Sequence, residues 1–199
     1  DIRGAGNLLG AEQSGFITDM GFETYQKILA EAMEELGVET GITTKSSNES
    51  YVVDCTIETD QLALIPDTYI DMTAEKIRIY KELDSLTSEK DMDQLKRKLE
   101  DRFGPLPEEL SRLFDIVRIR QLGQKLGFEK IIIKNGVLIA FFISNPLSQY
   151  YRTDRFSKIL ENVSVHPNLF ELKQNDSKLR IFSRNIESVA KAYEVLKKL

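Results

Sequence analysis

The sequence predicts an α+β protein, in which a helical N-terminal stretch is followed by helices packed with a small, mainly antiparallel sheet. Three observations lead there. From about residue 130 onward one pattern occurs twice, two β-rich runs and then a helical stripe, which reads as ββα repeated with the helices on one face of a sheet. Asn135-Gly136 joins two of those runs and is the strongest short hairpin signal in the chain. Ahead of them, apolar residues at steps of three and four mark successive helices, punctuated by Gly104-Pro105-Leu106-Pro107.

The opening stretch, DIRGAGNLLGAEQSG, combines four glycines with Arg3 and Gln13 in otherwise small or apolar surroundings. Glycines permit close backbone approach and left-handed turns. Leu8 and Leu9 lie between Arg3 and Gln13, so a short apolar turn brings both polar side chains to one side, as a paired contact site requires. Gly4, Gly6 and Gly10 make GxGxxxG, which is not the dinucleotide fingerprint, and no strand precedes it. A glycine-rich loop entering a helix is more often plain architecture than a site, and spacing alone favours that reading.

Phe22, Tyr25, Ile28, Leu29, Ala32, Met33 and Leu36 then form one helical stripe, and Gly37 ends it. Residues 37–50, GVETGITTKSSNES, are poor in large apolar side chains and rich in Gly, Thr and Ser. They read as a linker, and the domain boundary is placed there, giving 1–50 and 51–199. Tyr51, Val53, Cys55 and Ile57 alternate with Val52, Asp54, Thr56 and Glu58 at the period of a half-buried strand.

LALIPDTYI turns at Pro66. One helix follows through Ile77, Tyr80, Leu83 and Leu86. A second runs through Met92, Leu95, Leu99 and Phe103, with Asp91 as cap and Gln94 reaching back. Gly104 suits the C-terminal cap, Pro105 forbids continuation, and Pro107 fits the first turn of the next helix. That helix buries Leu110, Leu113, Phe114, Val117 and Leu126 and stops at Gly127. After the Asn135-Gly136 hairpin comes a helix with Phe156, Ile159 and Leu160. Phe170 and Leu172 face Leu179 and Ile181 across a second hairpin, and Ile186, Val189, Ala190, Tyr193 and Leu196 form the last stripe.

Composition excludes several classes of function. No apolar run approaches the roughly 20 residues of a membrane span, so a soluble protein with no membrane partner is expected. A single cysteine rules out an internal disulfide and fits a reducing compartment, and one histidine leaves no zinc cluster. No metal site and no cofactor are expected within this chain. Residues 1–66 carry 12 acids against 3 bases, while the rest carry 20 against 24, without an obvious basic face for nucleic-acid phosphate.

No GxxxxGK[ST] loop is present, and Ser14-Gly15 lacks the strand and glycine of a nucleophile elbow. A nucleophilic pair of Cys55 and His166 stays open, set against buried filler as the role of Cys55. On these grounds the chain is expected not to be an enzyme. Beginning at Asp1 inside a motif, it reads as a piece of a longer protein.

The stretch RGAGNLLGAEQSG resembles the second half of the translocation motif shared by RecG and the bacterial transcription-repair coupling factors, the Mfd family. LIPDTYI, KIRIYKEL and LEDRFGPLPEEL resemble the C-terminal domain of the latter, in the same order and spacing, and the likeness is firm to about Leu126. RecG is not expected to carry the DRFGPLP domain, which favours the coupling factors. A RecG-like helicase end and a stand-alone nucleic-acid-binding module are the alternatives.

The resemblance implies a cytoplasmic parent that uses ATP and Mg to translocate on duplex DNA, displaces stalled RNA polymerase and recruits the excision-repair protein UvrA. It implies that Arg3 and Gln13 couple motor closure to movement along DNA. It also implies that 51–199 is a regulatory domain covering the UvrA-binding face of a UvrB-like N-terminal module and restraining the motor. Asp101 and Arg102, in the DRFG segment, are the candidate contacts with that module. Their competing reading is a local helix cap and ion pair. Lys98 stands where the family often has glutamate, which puts an electrostatic match at that edge in doubt.

Overall fold

The computed structural model describes residues 51–175 and 178–199. Arg3, Gln13, Ser14, the stripe from Phe22 to Leu36 and the proposed linker lie outside the described residues. The described part divides into two compact units, 62–114 in one and 51–61 with 115–199 in the other.

In the first unit, LIPDTYI is an ordered turn rather than a loose loop. Tyr69 and Ile70 both donate backbone N–H groups to the Pro66 carbonyl, and the Tyr80 hydroxyl accepts from Ile65 N at 3.0 Å. Ile65, Ile70 and Tyr80 are buried. Helix α1 (Thr73–Ser85) buries Lys76, Ile79, Tyr80 and Leu83. The apolar stripe therefore lies one step away from the expected one: Ile77 is half-buried and Leu86 falls beyond the helix end. Lys76 heads the buried face, and its charge hid that position from a hydrophobic pattern.

Helix α2 (Glu89–Phe103) buries Met92, Leu95 and Leu99 as the spacing predicts. Its cap differs from expectation. Ser88, not Asp91, is the N-cap: Ser88 Oγ accepts from Asp91 N at 3.2 Å and donates to Asp91 Oδ2 at 2.6 Å. The carboxylate at the third helical position holds the capping hydroxyl in place, a side-chain contact between the two positions that a capping box uses rather than its bond to the N-cap backbone N–H. At the other end Gly104, at φ +90°, closes the helix with its N–H on Glu100 O. Helix α3 (Glu108–Leu126) starts one residue after Pro107, whose carbonyl accepts from Ser111 N. Leu110, Leu113 and Phe114 are fully buried.

The second unit holds a five-stranded sheet in the order β1-β2-β3-β5-β4. The strands are β1 (Thr56–Thr59), β2 (Phe128–Lys134), β3 (Val137–Phe142), β4 (Glu171–Asn175) and β5 (Lys178–Arg184). β1 runs parallel to β2, and every other pairing is antiparallel. A 3-10 turn (Gln149–Arg152) and α4 (Asp154–Val165) connect β3 to β4, and α5 (Val189–Leu196) follows β5. Asn135 at φ 53° and Gly136 at φ 72° make the turn between β2 and β3, as the two-residue hairpin signal requires. The mainly antiparallel sheet and the ββα order are thus as expected.

Two elements differ from the sequence pattern. Strand β1 covers only the end of the expected run, because Asp54 Oδ1 takes the Cys55 N–H at 2.7 Å and pairing starts at Thr56. Val53 is 98 % exposed, so the alternation breaks there. In α5 the buried face is Val189, Ala192, Val195 and Leu196, whereas Ala190 is exposed. Ser188 caps this helix through Lys191 N, which leaves Ile186 ahead of the helix, where it is still buried, and of the expected stripe Val189 and Leu196 lie on the buried face of the helix.

Candidate functional site: the DRFG turn and its ion ladder

Consecutive helices α1 and α2 are bridged by two ion pairs, Glu75 with Arg102 and Glu82 with Lys98. The partners step in opposite directions along the two helices, so the helices run antiparallel. Glu75 Oε1 receives Arg102 Nη1 and Arg78 Nη2, each at 2.6 Å, and Arg78 Nε reaches Oε2 at 3.2 Å. Arg78 Nη1 continues to Glu82 Oε2 at 3.4 Å, and Lys98 Nζ closes the run on Glu82 Oε1 at 3.1 Å. The result is an alternating ladder of five charges, Arg102, Glu75, Arg78, Glu82 and Lys98. The Arg78 hydrogen bond, followed by the charges of Arg78 and Arg102, holds the Glu75 carboxyl below the usual carboxylate range.

The ladder separates the two candidate contact residues. Arg102 is engaged locally, by Glu75 on one side and by the Phe103 ring, whose centroid lies 4.8 Å from the guanidinium carbon. Asp101, one residue earlier, is exposed, and its carboxylate makes no hydrogen bond or ion pair among the described residues. Glu100 beside it is exposed too. The local-pair reading therefore describes Arg102, and Asp101 retains a carboxylate directed to solvent. Lys98, the departure from the family pattern, is accounted for by its pair with Glu82.

The turn that presents these residues is held rigidly from below. The Tyr69 hydroxyl lies 3.1 Å from Leu99 O and 2.8 Å from Gly104 O, so one phenol ties the carbonyls at the end of α2. Burial, then the Glu100 charge, raises its pKa and keeps it a donor. Tyr69 and Phe103 rings pack at 5.8 Å. Sequence reasoning missed Glu75 and Tyr69, which lie 27 and 35 residues from their partners Arg102 and Gly104 and carry no local signal of the pairing. KIRIYKEL supplied two of the five ladder charges, Arg78 and Glu82, but it entered the sequence reading only through its apolar positions and its family resemblance.

Cys55 and His166 do not form a nucleophilic pair. Cys55 is buried, and burial followed by the neighbouring Asp54 charge pushes its thiol up to about 12, the opposite of what a nucleophile needs. His166 packs edge-on to Phe170, its Nδ1 lies 3.0 Å from Asn162 O, and no hydrogen bond joins it to Cys55. Ser14 is outside the described residues. Among the described residues no group of three or more His, Cys, Asp or Glu is placed to hold a metal ion, and no helix is long and apolar enough to cross a membrane.

Comparison with known proteins gives a consistent answer. Residues 59–153, which include both helices of the ladder and the DRFG turn, match the TRCF domain family. The chain is 36 % identical over 177 residues to the transcription-repair-coupling factor of Rickettsia typhi, covering 88 % of this chain and 15 % of that protein. It is 32 % identical over 205 residues to that of Escherichia coli, covering 96 % of this chain and 17 % of that protein. With the Bacillus subtilis protein of the same name it shares 40 % over 130 residues. The fold matches a crystal structure of the C-terminal domain of transcription-repair coupling factor with a TM-score of 0.62 at 20 % identity, over 73 % of this chain and 88 % of that one. The matched stretch thus spans between about a tenth and a sixth of these curated relatives' length. By its TRCF domain and by the relatives that share its sequence along most of its length, the chain belongs to the transcription-repair coupling factor family.

Proposed function

We propose that this chain is the C-terminal regulatory and interaction part of an ATP-dependent duplex-DNA translocase that displaces stalled RNA polymerase and recruits UvrA. In this reading it covers the UvrA-binding face of a UvrB-like N-terminal module of the same protein and restrains the motor. ATP and Mg belong to the motor outside this chain. Arg3 and Gln13 couple lobe closure to movement along DNA. The described part contributes binding and no catalytic step.

One observation carries the reading: Asp101 offers an unpaired, exposed carboxylate on a turn made stiff by Tyr69, Gly104 and the ladder, while its neighbour Arg102 is already bound. A contact that masks a site and later opens is best made of polar groups that water can replace, and a pre-positioned charge meets that need at small ordering cost. The ladder fixes the geometry, and Asp101 makes the contact.

The test uses the full-length parent. Asp101→Arg is expected to raise ATPase activity and UvrA binding in parallel, deletion of 51–199 is expected to do the same, and the contact is expected to weaken with salt. Arg102→Ala is expected to act more weakly, through the ladder. If charge reversal and deletion both leave ATPase and UvrA binding unchanged, the reading is wrong. For the coupling pair, Arg3→Ala or Gln13→Ala is expected to spare ATP hydrolysis and stop translocation.

A further inference from the structure

The two faces of the sheet in the second unit are sharply different. Strand register puts Ile57, Ile131, Ile133, Leu138, Ala140 and Ile181 on one face, and all are buried. The same register puts Ile132, Ile139, Phe141 and Phe182 at the middle of the opposite face, where each is half-buried. An antiparallel sheet with one solvated face normally alternates apolar inward with polar outward. Here every outward position of β3 (Val137, Ile139 and Phe141) is apolar, Ile132 of β2 and Phe182 of β5 extend the strip sideways, and a contiguous patch of that kind marks an interaction surface.

Cations frame the patch, and their pairing is uneven. Lys130 and Lys134 share Glu58 at 2.6 and 3.2 Å, and Lys173 reaches Glu171 at 3.2 Å. Arg180 has no carboxylate among the described residues. Its guanidinium carbon lies 5.9 Å from the Phe141 ring centroid and 5.5 Å from that of Phe182, and its Nε is shielded from solvent without any hydrogen-bond partner. A desolvated, unpaired guanidinium donor is costly, and a carboxylate supplies the bidentate acceptor that it lacks.

We propose that this outer sheet face docks an acidic polypeptide segment with interspersed apolar side chains, and that Arg180, set between the Phe141 and Phe182 rings, receives one of its carboxylates. The inference does not depend on the role given to Asp101, which belongs to the other unit. A single-stranded nucleic acid is the less suitable occupant. Stacking of bases needs free ring faces, whereas Lys173 Nζ already sits 4.7 Å from the Phe182 centroid and Arg180 covers both rings. Two of the framing lysines are moreover neutralised by Glu58, which weakens a continuous track for phosphates.

The test is fluorescence anisotropy on the 199-residue chain with a labelled peptide of alternating glutamate and leucine. Saturable binding is expected, weakened about tenfold by Arg180→Ala, as for a desolvated charged contact at the centre of an interface. Phe182→Ala is expected to weaken it as well, Lys158→Ala on the exposed side of α4 should leave it unchanged, and a glutamine-for-glutamate peptide should bind far less. Thermal melts of each variant identify any loss that comes from unfolding, and Arg180→Gln, which keeps the bulk, replaces Arg180→Ala if that variant is unfolded. The proposal is overturned by no saturation up to about 1 mM peptide, by binding indifferent to Arg180, or by an oligouridylate that displaces the peptide from this face and binds more tightly.

Discussion

The ring of Tyr150 lies over Gly127 so closely that a Cβ there would fall 2.2 Å from Cε2 and 2.4 Å from Cζ. The same residue donates its hydroxyl to Leu126 O, so the ring that requires the glycine also ties off the end of α3. Gly127 itself sits at φ +91°.

Gly127→Ala is therefore expected to cost at least about 2 kcal/mol, from a backbone conformation unfavourable to L side chains and from displacement of a buried ring. Gly104→Ala is the control, since φ is +90° there with nothing within 4 Å of a Cβ. It should lose about 1 kcal/mol or slightly more, the backbone part alone. Urea melts of the two variants check this, and equal losses would show that the Tyr150 contact contributes nothing.

Gly123 poses the opposite case, a glycine inside a helix with ordinary helical backbone, where alanine normally gains about 1 kcal/mol. A Cβ at this position would come within 2.6 Å of Cys55 Sγ and 3.0 Å of Ile131 Cδ1. Gly123→Ala is expected to be net destabilising by about 1–2 kcal/mol, and Cys55→Ala in the same chain should recover part of that loss. The close fit also predicts a silent thiol. With its pKa pushed up to about 12, Cys55 should react with an alkylating reagent far more slowly in the folded chain than in urea. Similar rates in both would show that the thiol is not enclosed.

Lys76 is 2 % exposed and paired with Asp67, which is 57 % exposed. Removing the carboxylate leaves a buried ammonium without its partner, whereas removing the ammonium leaves a carboxylate that water can solvate. Asp67→Ala is expected to destabilise by about 1–3 kcal/mol, and Lys76→Met much less. The double variant should resemble Lys76→Met, and chemical denaturation of the four proteins closes the cycle. Full additivity of the two single losses would mean that the pair is not coupled.

These residues also mark how far the sequence could be read. Stripes such as Met92, Leu95 and Leu99, and the Asn135-Gly136 turn, were legible because periodicity and turn chemistry act within a few residues. Lys76 was not, because a charged residue on a buried face contradicts the pattern until Asp67 is placed beside it. The shortening of β1 depended on Asp54 drawing away one N–H, and Asp54 in turn is held by Arg120 Nε at 2.7 Å and Gln124 Nε2 at 3.2 Å from a helix far along the chain. At the candidate site, DRFG directed attention to Asp101 and Arg102. Their division of labour is set by Glu75, in another helix, and no local rule places it there.

The last expectation concerns acid. Glu58 is held below the ordinary carboxylate range, first by the hydrogen bond from Lys130 and then by that from Lys134. A depressed folded value means that the ionised form favours the folded state. The contribution is present above the unfolded value, near 4.5, and is lost as pH falls through the folded one. Glu58→Gln should therefore be less stable than the unaltered chain at neutral pH, by about 0.5–1 kcal/mol for a partly exposed cluster. The gap should narrow below about pH 4.5 and vanish in stronger acid, and at neutral pH it should shrink with added salt. Denaturant melts across that pH range decide the matter: a gap that is constant with pH, or that widens in acid, would show that the Glu58 carboxylate does not stabilise the pairing of β1 with β2.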